Sequence, residues 1–298
     1  MTDIQTAYGL SVQRAPAKIN LTLHVGRPIL DPHDKFMGYH PVDSLVVFAD
    51  IGDDVGVEAA PSTRLTMQGQ YSRDLTVTQD NLILRAAARV HETVAGQGAH
   101  FAFDLVKNLP VSSGMVGGSA DAAAALRLLE PYADLTQAQW HDIAVSLGAD
   151  VPVCRLSKTA HMTGIGEEVK ALGGLGQIDA VLVNPNQAVS TAKIFKAFDS
   201  GSPQDTPRPQ KTTGTLLERT RDGRNDLQPI AIDLCPAIAD VLTAIGAQEA
   251  CDLFRMTGSG ATCFGLFPNA ASAQKAAEQI AKSHPDWWVK SCKFGDSA

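Results

Sequence analysis

Leu109-Pro-Val-Ser-Ser-Gly-Met-Val-Gly-Gly-Ser-Ala-Asp-Ala-Ala123 is a run of small residues set between an alternating strand and an alanine-rich helix. Upstream, Phe101, Phe103 and Leu105 alternate with Ala102, Asp104 and Val106, the period-2 pattern of a half-buried strand. Downstream, Ala122, Leu126 and Leu129 follow helical spacing. Between them, Gly114, Gly117 and Gly118 permit close backbone approach or positive φ. The first turn of the helix leaves N–H groups unpaired and carries a partial positive charge, so an anion can sit there. A Walker A loop would end in Gly-Lys-Ser or Gly-Lys-Thr, whereas this one ends in Gly118-Ser119-Ala120. A Rossmann fingerprint needs G-x-G-x-x-G, and the glycines here fall at 114, 117 and 118. The loop therefore points to a nucleotide enzyme of another kind, or to a plain strand-to-helix connector.

The chain has 298 residues, enough for about two domains of ordinary size. Hydrophobic residues at 44% against charged residues at 19% describe a globular protein. A net charge of −7 argues against a general nucleic-acid or anionic-membrane binder while leaving room for a local phosphate pocket, so the expected partner is a small molecule. The N-terminal residues carry no basic segment leading into an apolar core, and no apolar run approaches the ~20 residues of a membrane span, so the expected location is the cytoplasm. Cysteines 154, 235, 251, 263 and 292 are odd in number and lack any C-x-x-C pair, which suggests buried thiols and neither a disulfide framework nor a zinc site.

Along the chain, residues 12–25 read as a strand with Ile19, Leu21, Leu23 and Val25 on one face and Lys18, Asn20 and Thr22 on the other. A turn-rich stretch from Gly26 to Gly38 leads to Tyr39-His40-Pro41, then to strands at Ser44–Phe48 and Asp54–Ala59. A helix is predicted from about Asn81 to Val94, and another from Thr136, whose spacing to Gln139 is that of a capping box, with Gly148 as its stop. Asp150 then sits at an element junction, with extended character expected from Cys154 to Met162. Residues 200–225 read as a long surface loop. Thr257-Gly258-Ser259-Gly260-Ala261-Thr262, between two helices, leads into an apolar strand, Cys263–Phe267.

Five segments recur together in one known family. Pro16-Ala17-Lys18-Ile19-Asn20-Leu21, Gly38-Tyr39-His40, the 109–123 loop, Leu147-Gly148-Ala149-Asp150-Val151-Pro152 and Gly258-Ser259-Gly260-Ala261 resemble the GHMP kinases in order and separation. The similarity spans nearly the whole chain. It implies an α+β, two-domain GHMP kinase fold: a ribosomal-S5-domain-2-like ATP-binding domain over 1–163 and an α/β-plait substrate domain over 164–298. The last strand, near 287–294, is expected to return to the first domain, and the active site to lie in the interdomain cleft.

The implied reaction is transfer of the ATP γ-phosphoryl group to the 2-hydroxyl of a CDP-linked methylerythritol, in non-mevalonate isoprenoid synthesis. Such a transfer has a loose, highly charged transition state, so a kinase mainly positions two reactants and neutralises charge. The resemblance makes Asp150 the base for the hydroxyl proton and Lys18 its catalytic partner. It assigns Pro110, Ser112, Ser113, Gly114, Met115, Val116, Gly117, Gly118 and Ser119 to the ATP phosphates with Mg²⁺ between them, and Asn81 and Lys107 to positions near adenine. The metal ligands are not specified. Ser119 reads equally as a phosphate or metal contact and as the helix N-cap. Asn20 and His40 would contact substrate, the histidine at cytosine, and Tyr39 and Phe195 would sandwich its ring. Gly258, Ser259 and Gly260 form a glycine loop near the site. The implied enzyme is a cytoplasmic monomer or homodimer with no nucleic-acid or membrane partner.

Two departures from the family matter. Ser112 and Val116 stand where glycine is usual, and at a positive φ a β-branched residue costs roughly 1–3 kcal/mol. Arg27–Met37 is longer than the usual connection before Gly-Tyr-His. Two alternatives stay open: a GHMP kinase acting on another small alcohol such as homoserine or mevalonate, and a nucleotide-binding member weakened in catalysis by Val116.

Overall fold

A computed structural model describes residues 11–72, 75, 77–94, 99–111, 113–201 and 205–296. Ser112, expected in the phosphate loop, lies outside the described residues. In chain order the elements begin with β1 (Ser11–Asn20), β2 (His24–Val25), β3 (Val42–Ala60), β4 (Arg64–Gln68), α1 (Leu82–Thr93), β5 (His100–Val106) and α2 (Gly117–Leu129). After a 3₁₀ turn at Glu130–Tyr132 come α3 (Gln137–Leu147), α4 (Val151–Leu156), β6 (Ala160–Thr163), β7 (Glu168–Ala171) and β8 (Gln177–Asn184). The remainder is α5 (Thr191–Ser200), α6 (Leu216–Asp222), α7 (Gln228–Leu234), α8 (Ala237–Gly246), β9 (Leu253–Met256), β10 (Cys263–Phe267), α9 (Ala270–Ser283) and β11 (Trp288–Gly295).

Contacts divide the chain into two compact units, neither a continuous segment. One takes the described residues up to Ala17, those of Ile51–Leu109, and Val116–Ser157; the other takes Lys18–Asp50, Pro110–Met115 and the described residues from Lys158 onward. In the first unit, β5 runs antiparallel to the second half of β3, with Asp54 opposite Val106, and parallel to β4. Phe101, Phe103 and Leu105 of β5 are buried, as their alternation predicts. Helix α2 packs on α1, α3 and α4 through an almost continuous run of buried alanines and leucines. The capping box at Thr136 and Gln139 is present, and Gly148 ends α3 as expected.

In the second unit, β8, the helices, β9, β10, α9 and β11 form a split β-α-β plait with strand order β11-β8-β10-β9, all antiparallel. Strand β11 also pairs through Phe294 with Ala49 in the first half of β3, and β6 pairs with β3 on Ser44–Val46. Four of the five cysteines are buried, and burial pushes the Cys263 and Cys292 thiols up.

Several local expectations need correcting. The strands foreseen at 44–48 and 54–59 are one 19-residue strand, because Asp50-Ile51-Gly52-Asp53-Asp54 looks like a turn but continues extended. A Cβ on Gly52 would lie 2.2 Å from the Ala15 carbonyl oxygen, so glycine there lets β1 pass close by. Residues 154–156 are helical, in α4, because Pro152 sits at a helix start, where it lacks no needed donor. The segment 200–225 contains α6, started by a Thr215/Glu218 capping box. Strand β1 stops at Asn20, and both sides of 17–25 are buried, so its polar stripe faces protein.

Candidate active site

In the second unit, the end of β1 places a polar stripe in the interior: Lys18 and Asn20 are each 2% exposed. The Asn20 backbone N–H donates to Thr257 Oγ1 at 2.8 Å, and its side-chain amide donates to Ser44 Oγ at 2.7 Å. Ser44 in turn donates to the Thr22 carbonyl at 2.6 Å. The carboxamide is therefore held in one orientation by β3, and its backbone by the 257–262 glycine loop.

That loop meets the first half of the phosphate-type loop backbone to backbone. A Cβ on Gly114, at φ 74°, would lie 2.7 Å from the carbonyl oxygens of both Thr257 and Gly260. A Cβ on Gly258, at φ 56°, would lie 2.4 Å from the Gly114 oxygen. Thr262 N–H donates to the Ser113 carbonyl at 3.2 Å, and the Asn225 amide donates to the carbonyls of Met256 and Gly258, both at 2.8 Å. Ser259 and Thr191 share a hydroxyl contact at 2.8 Å. Asn20, Ser113, Gly114, Gly258, Ser259 and Gly260 are thus drawn into one neighbourhood; Pro110 and Met115, in the same segment, are buried.

His40 stacks on Phe195 with ring centroids 4.7 Å apart. Its Nδ1 lies 2.9 Å from the Gly26 carbonyl oxygen and its Nε2 3.5 Å from Asp199 Oδ1. Tyr39 is 54% exposed and its ring partner is Phe36, at 6.2 Å. The long 27–37 stretch is an excursion closed by Ile29 N–H to Tyr39 O and Gly38 N–H to Ile29 O, both 2.8 Å.

The 205–215 segment, read from sequence as loop, is fastened to this region. Gln210 N–H donates to Asp43 Oδ1 at 3.0 Å, an oxygen that His161 Nε2 also approaches to 3.0 Å, and the Gln210 amide donates to Thr22 Oγ1. Burial lowers the His24 pKa below its ordinary value, and its Nε2 accepts from Arg224 N–H at 3.2 Å, so the neutral ring carries its proton on Nδ1 toward the Arg208 carbonyl.

In the first unit, α2 opens at Val116 with φ 54° and ψ 37°. Val116, not Ser119, is the N-cap: Ser119 and Ala120 N–H both donate to the Val116 carbonyl at 3.0 Å, leaving Ser119 in the first turn behind Gly117 and Gly118. Beneath that turn lies a buried ion cluster. Lys107 Nζ donates to Asp53 and, at 2.9 Å, to Asp121 Oδ2, and a Cβ on Gly117 would lie 3.3 Å from that ammonium. Asp53 Oδ1 accepts from the backbone N–H groups of Asn108 at 2.6 Å and Leu109 at 2.9 Å. Burial works against the Lys107 cation, but Asp121 and Asp53 outweigh it and raise its pKa. Burial pushes the Asp121 carboxyl up to about 7, with Lys107 pulling the other way. The Lys107 ammonium is thus engaged internally, and Asn81 caps α1 by accepting from Ile83 N–H at 2.9 Å. Asp150 is the half-buried N-cap residue of α4, with φ −86° and ψ −13°, followed by buried Val151, Pro152, Val153 and Cys154.

Sequence spacing alone missed Ser44, Asp53, Asp121, Gln210, Asn225 and Thr257. The available signal was an aspartate inside an otherwise apolar alanine run, since buried carboxylates are rare without a partner.

Strand β5 and helix α2 joined by a small-residue loop, and an antiparallel plait with its own glycine loop, are the two parts of a known kinase class. A family model described as GHMP kinases N terminal domain matches residues 81–158, and one described as GHMP kinases C terminal matches 211–286. A 4-diphosphocytidyl-2-C-methyl-D-erythritol kinase of Roseobacter denitrificans is 43% identical over 290 residues, covering 95% of this chain and 93% of the relative. The crystal structure of a 4-(cytidine 5'-diphospho)-2C-methyl-D-erythritol kinase superposes with TM-score 0.76 and 29% identity, covering 96% of this chain and all of that one. A homoserine kinase from Cytophaga hutchinsonii shares the fold, with TM-score 0.69 over 99% of this chain and 98% of that one, at 15% identity. Within the GHMP kinases, the chain belongs to the 4-diphosphocytidyl-2-C-methyl-D-erythritol kinase family. GHMP kinases use ATP, and the two-domain α+β fold is the one the motifs imply.

Proposed function

We propose that this chain transfers the γ-phosphoryl group of ATP to the 2-hydroxyl of 4-diphosphocytidyl-2-C-methyl-D-erythritol, a step of non-mevalonate isoprenoid precursor synthesis. The observation that carries this reading is 43% identity, over 95% of the chain, to a kinase named for that substrate. In this reading Asp150 accepts the hydroxyl proton as its oxygen attacks phosphorus, and Lys18, buried on β1, stabilises the developing charge. The backbone of 110–119 receives the ATP phosphates, with Ser112 and Ser113 contributing from the same loop. The Lys107 cluster supports the first turn of α2 from beneath, so Lys107 serves ATP through the helix it holds. Asn81 stays near adenine as the cap of α1, and the 258–260 loop backs Asn20.

At the cytidine end, His40 hydrogen-bonds cytosine, Phe195 fixes the plane of that imidazole, and exposed Tyr39 closes on the base. Among the described residues no group of three or more His, Cys, Asp or Glu side chains is placed to hold a metal ion. Mg²⁺ arriving on the ATP phosphates keeps mostly phosphate and water ligands and needs one or two protein oxygens, the Ser119 hydroxyl being a fitting one. When bound, it would neutralise phosphate charge. The same reading treats 1–163 as the ATP-binding domain and 164–298 as the substrate domain. It takes the enzyme as cytoplasmic, monomeric or homodimeric, and independent of nucleic acid and membrane. Among the described residues no helix is long and apolar enough to cross a membrane.

The test is ADP production from Mg-ATP with the CDP compound, homoserine or mevalonate, alongside Asp150→Asn. Turnover with the CDP compound alone is expected, with kcat about 10²- to 10⁴-fold lower in the variant and the KM for ATP little changed. Turnover with homoserine or mevalonate in its place would overturn the substrate, and full activity in the variant would overturn the base.

A further inference from the structure

Arg127 lies in the last turn of α2, and its guanidinium reaches two other elements. Nη1 donates to the Cys154 carbonyl at 2.9 Å, to Ser157 Oγ at 3.2 Å and to the Arg155 carbonyl at 3.4 Å. Nη2 donates to the Arg14 carbonyl on β1 at 2.9 Å. The carbonyls of 154 and 155 close α4, where intrahelical partners run out and the helix end is partly negative. Ser157, the C-cap at φ 47°, adds a 2.6 Å hydrogen bond to the same Cys154 oxygen. A helix of six residues does not persist by propensity, so its place is set by packing and by what grips its ends.

We infer that Arg127 is a positioning residue for phosphoryl transfer: it clamps the C-terminal end of α4, and thereby aims Asp150 at the other end, against the helix that opens in the phosphate loop. A lysine cannot replace it, because the planar fork serves several acceptors at fixed angles whereas an ammonium reaches them only as a point charge. The inference rests on the assignment of Asp150 as the base. Misplacing a reacting group by about 1 Å costs up to about 10²-fold in rate without a direct contact being lost.

The experiment compares wild type, Arg127→Lys, Asp150→Asn and the double variant, with kcat and KM measured well below each melting temperature and folding checked by circular dichroism. Arg127→Lys is expected to lower kcat at least about 10-fold while the KM for ATP stays within about twofold, and to have less than about twofold effect when Asp150 is already asparagine. A lower melting temperature with wild-type kcat, or an equal loss in both backgrounds, would overturn the inference. If Asp150→Asn alone keeps wild-type kcat, the base assignment has failed whatever Arg127 does. Should Arg127→Lys not fold, Ser157→Gly keeps the left-handed cap and removes both hydrogen bonds of that hydroxyl, to Arg127 and to the Cys154 carbonyl; it should lower kcat in the native background only, and an unchanged kcat there overturns the proposal.

Discussion

Val116 sets the entry of α2 in a backbone region that β-branched residues avoid, at φ 54°. Alanine would keep most of that strain and glycine would remove it, so Val116→Gly should be more stable than Val116→Ala by about 1 kcal/mol. Equal melting midpoints for the two would show that the loop relaxes around any side chain. The strain at this position was foreseeable because the loop glycines around it fix the turn, and a sequence shows which residue interrupts them. The Lys107 cluster was not foreseeable in the same way. Lys107 lies 54 residues from Asp53 and 14 from Asp121, the three on a loop, a strand and a helix, and their pairing depends on which faces those elements turn inward. Sequence placed Lys107 near ATP; the fold spends its charge on two carboxylates.

Among the elements, two loops and one strand carry the argument. Gly114 and Gly118 look alike in sequence but differ in space: the first leaves no room for a methyl group and has φ 74°, while the second is exposed and would bring a Cβ only to 3.7 Å from Leu82. Gly114→Ala should therefore cost roughly 2–4 kcal/mol, and Gly118→Ala, in a helical turn, should be neutral or stabilising by up to about 1 kcal/mol. Chemical denaturation of both variants checks this, and a tolerated Gly114→Ala would mean that the two glycine loops do not interlock. Alternation and helical spacing located β5, α1 and α3, and continuous runs of apolar or small residues located α2 and β10, which are buried nearly throughout. They failed at α4 and in β3, where a proline after a helix stop and three aspartates around a glycine mimic loop chemistry. They failed also at 205–222, whose polar residues are satisfied by distant partners such as Asp43 and Thr22.

For the molecule as a whole, the buried cluster links stability to pH. Asp121 titrates near 7 in the fold against an ordinary 3.8, so the folded chain keeps a proton that the unfolded chain releases. Between about pH 4 and 7 the folded state binds more protons, and this group lowers stability as pH rises through that window, the full penalty standing above it. Lys107 has the same sign in a more alkaline window: its raised pKa stabilises the fold below its ordinary value, and that stabilisation is lost only in strong alkali. The melting temperature of wild type should thus fall from pH 5 to 7.5 more steeply than that of Asp121→Asn; parallel profiles would remove the carboxyl as the cause. The order in which strands are laid down has a separate consequence. Strand β11 follows β9, β10 and α9 in sequence yet inserts between β3 and β8, which are made earlier. During translation β8 must wait with one edge unpaired, a surface open to wrong partners until β11 has been made. Synthesis of β11, and not of the plait elements before it, is therefore the event that lets the second unit close.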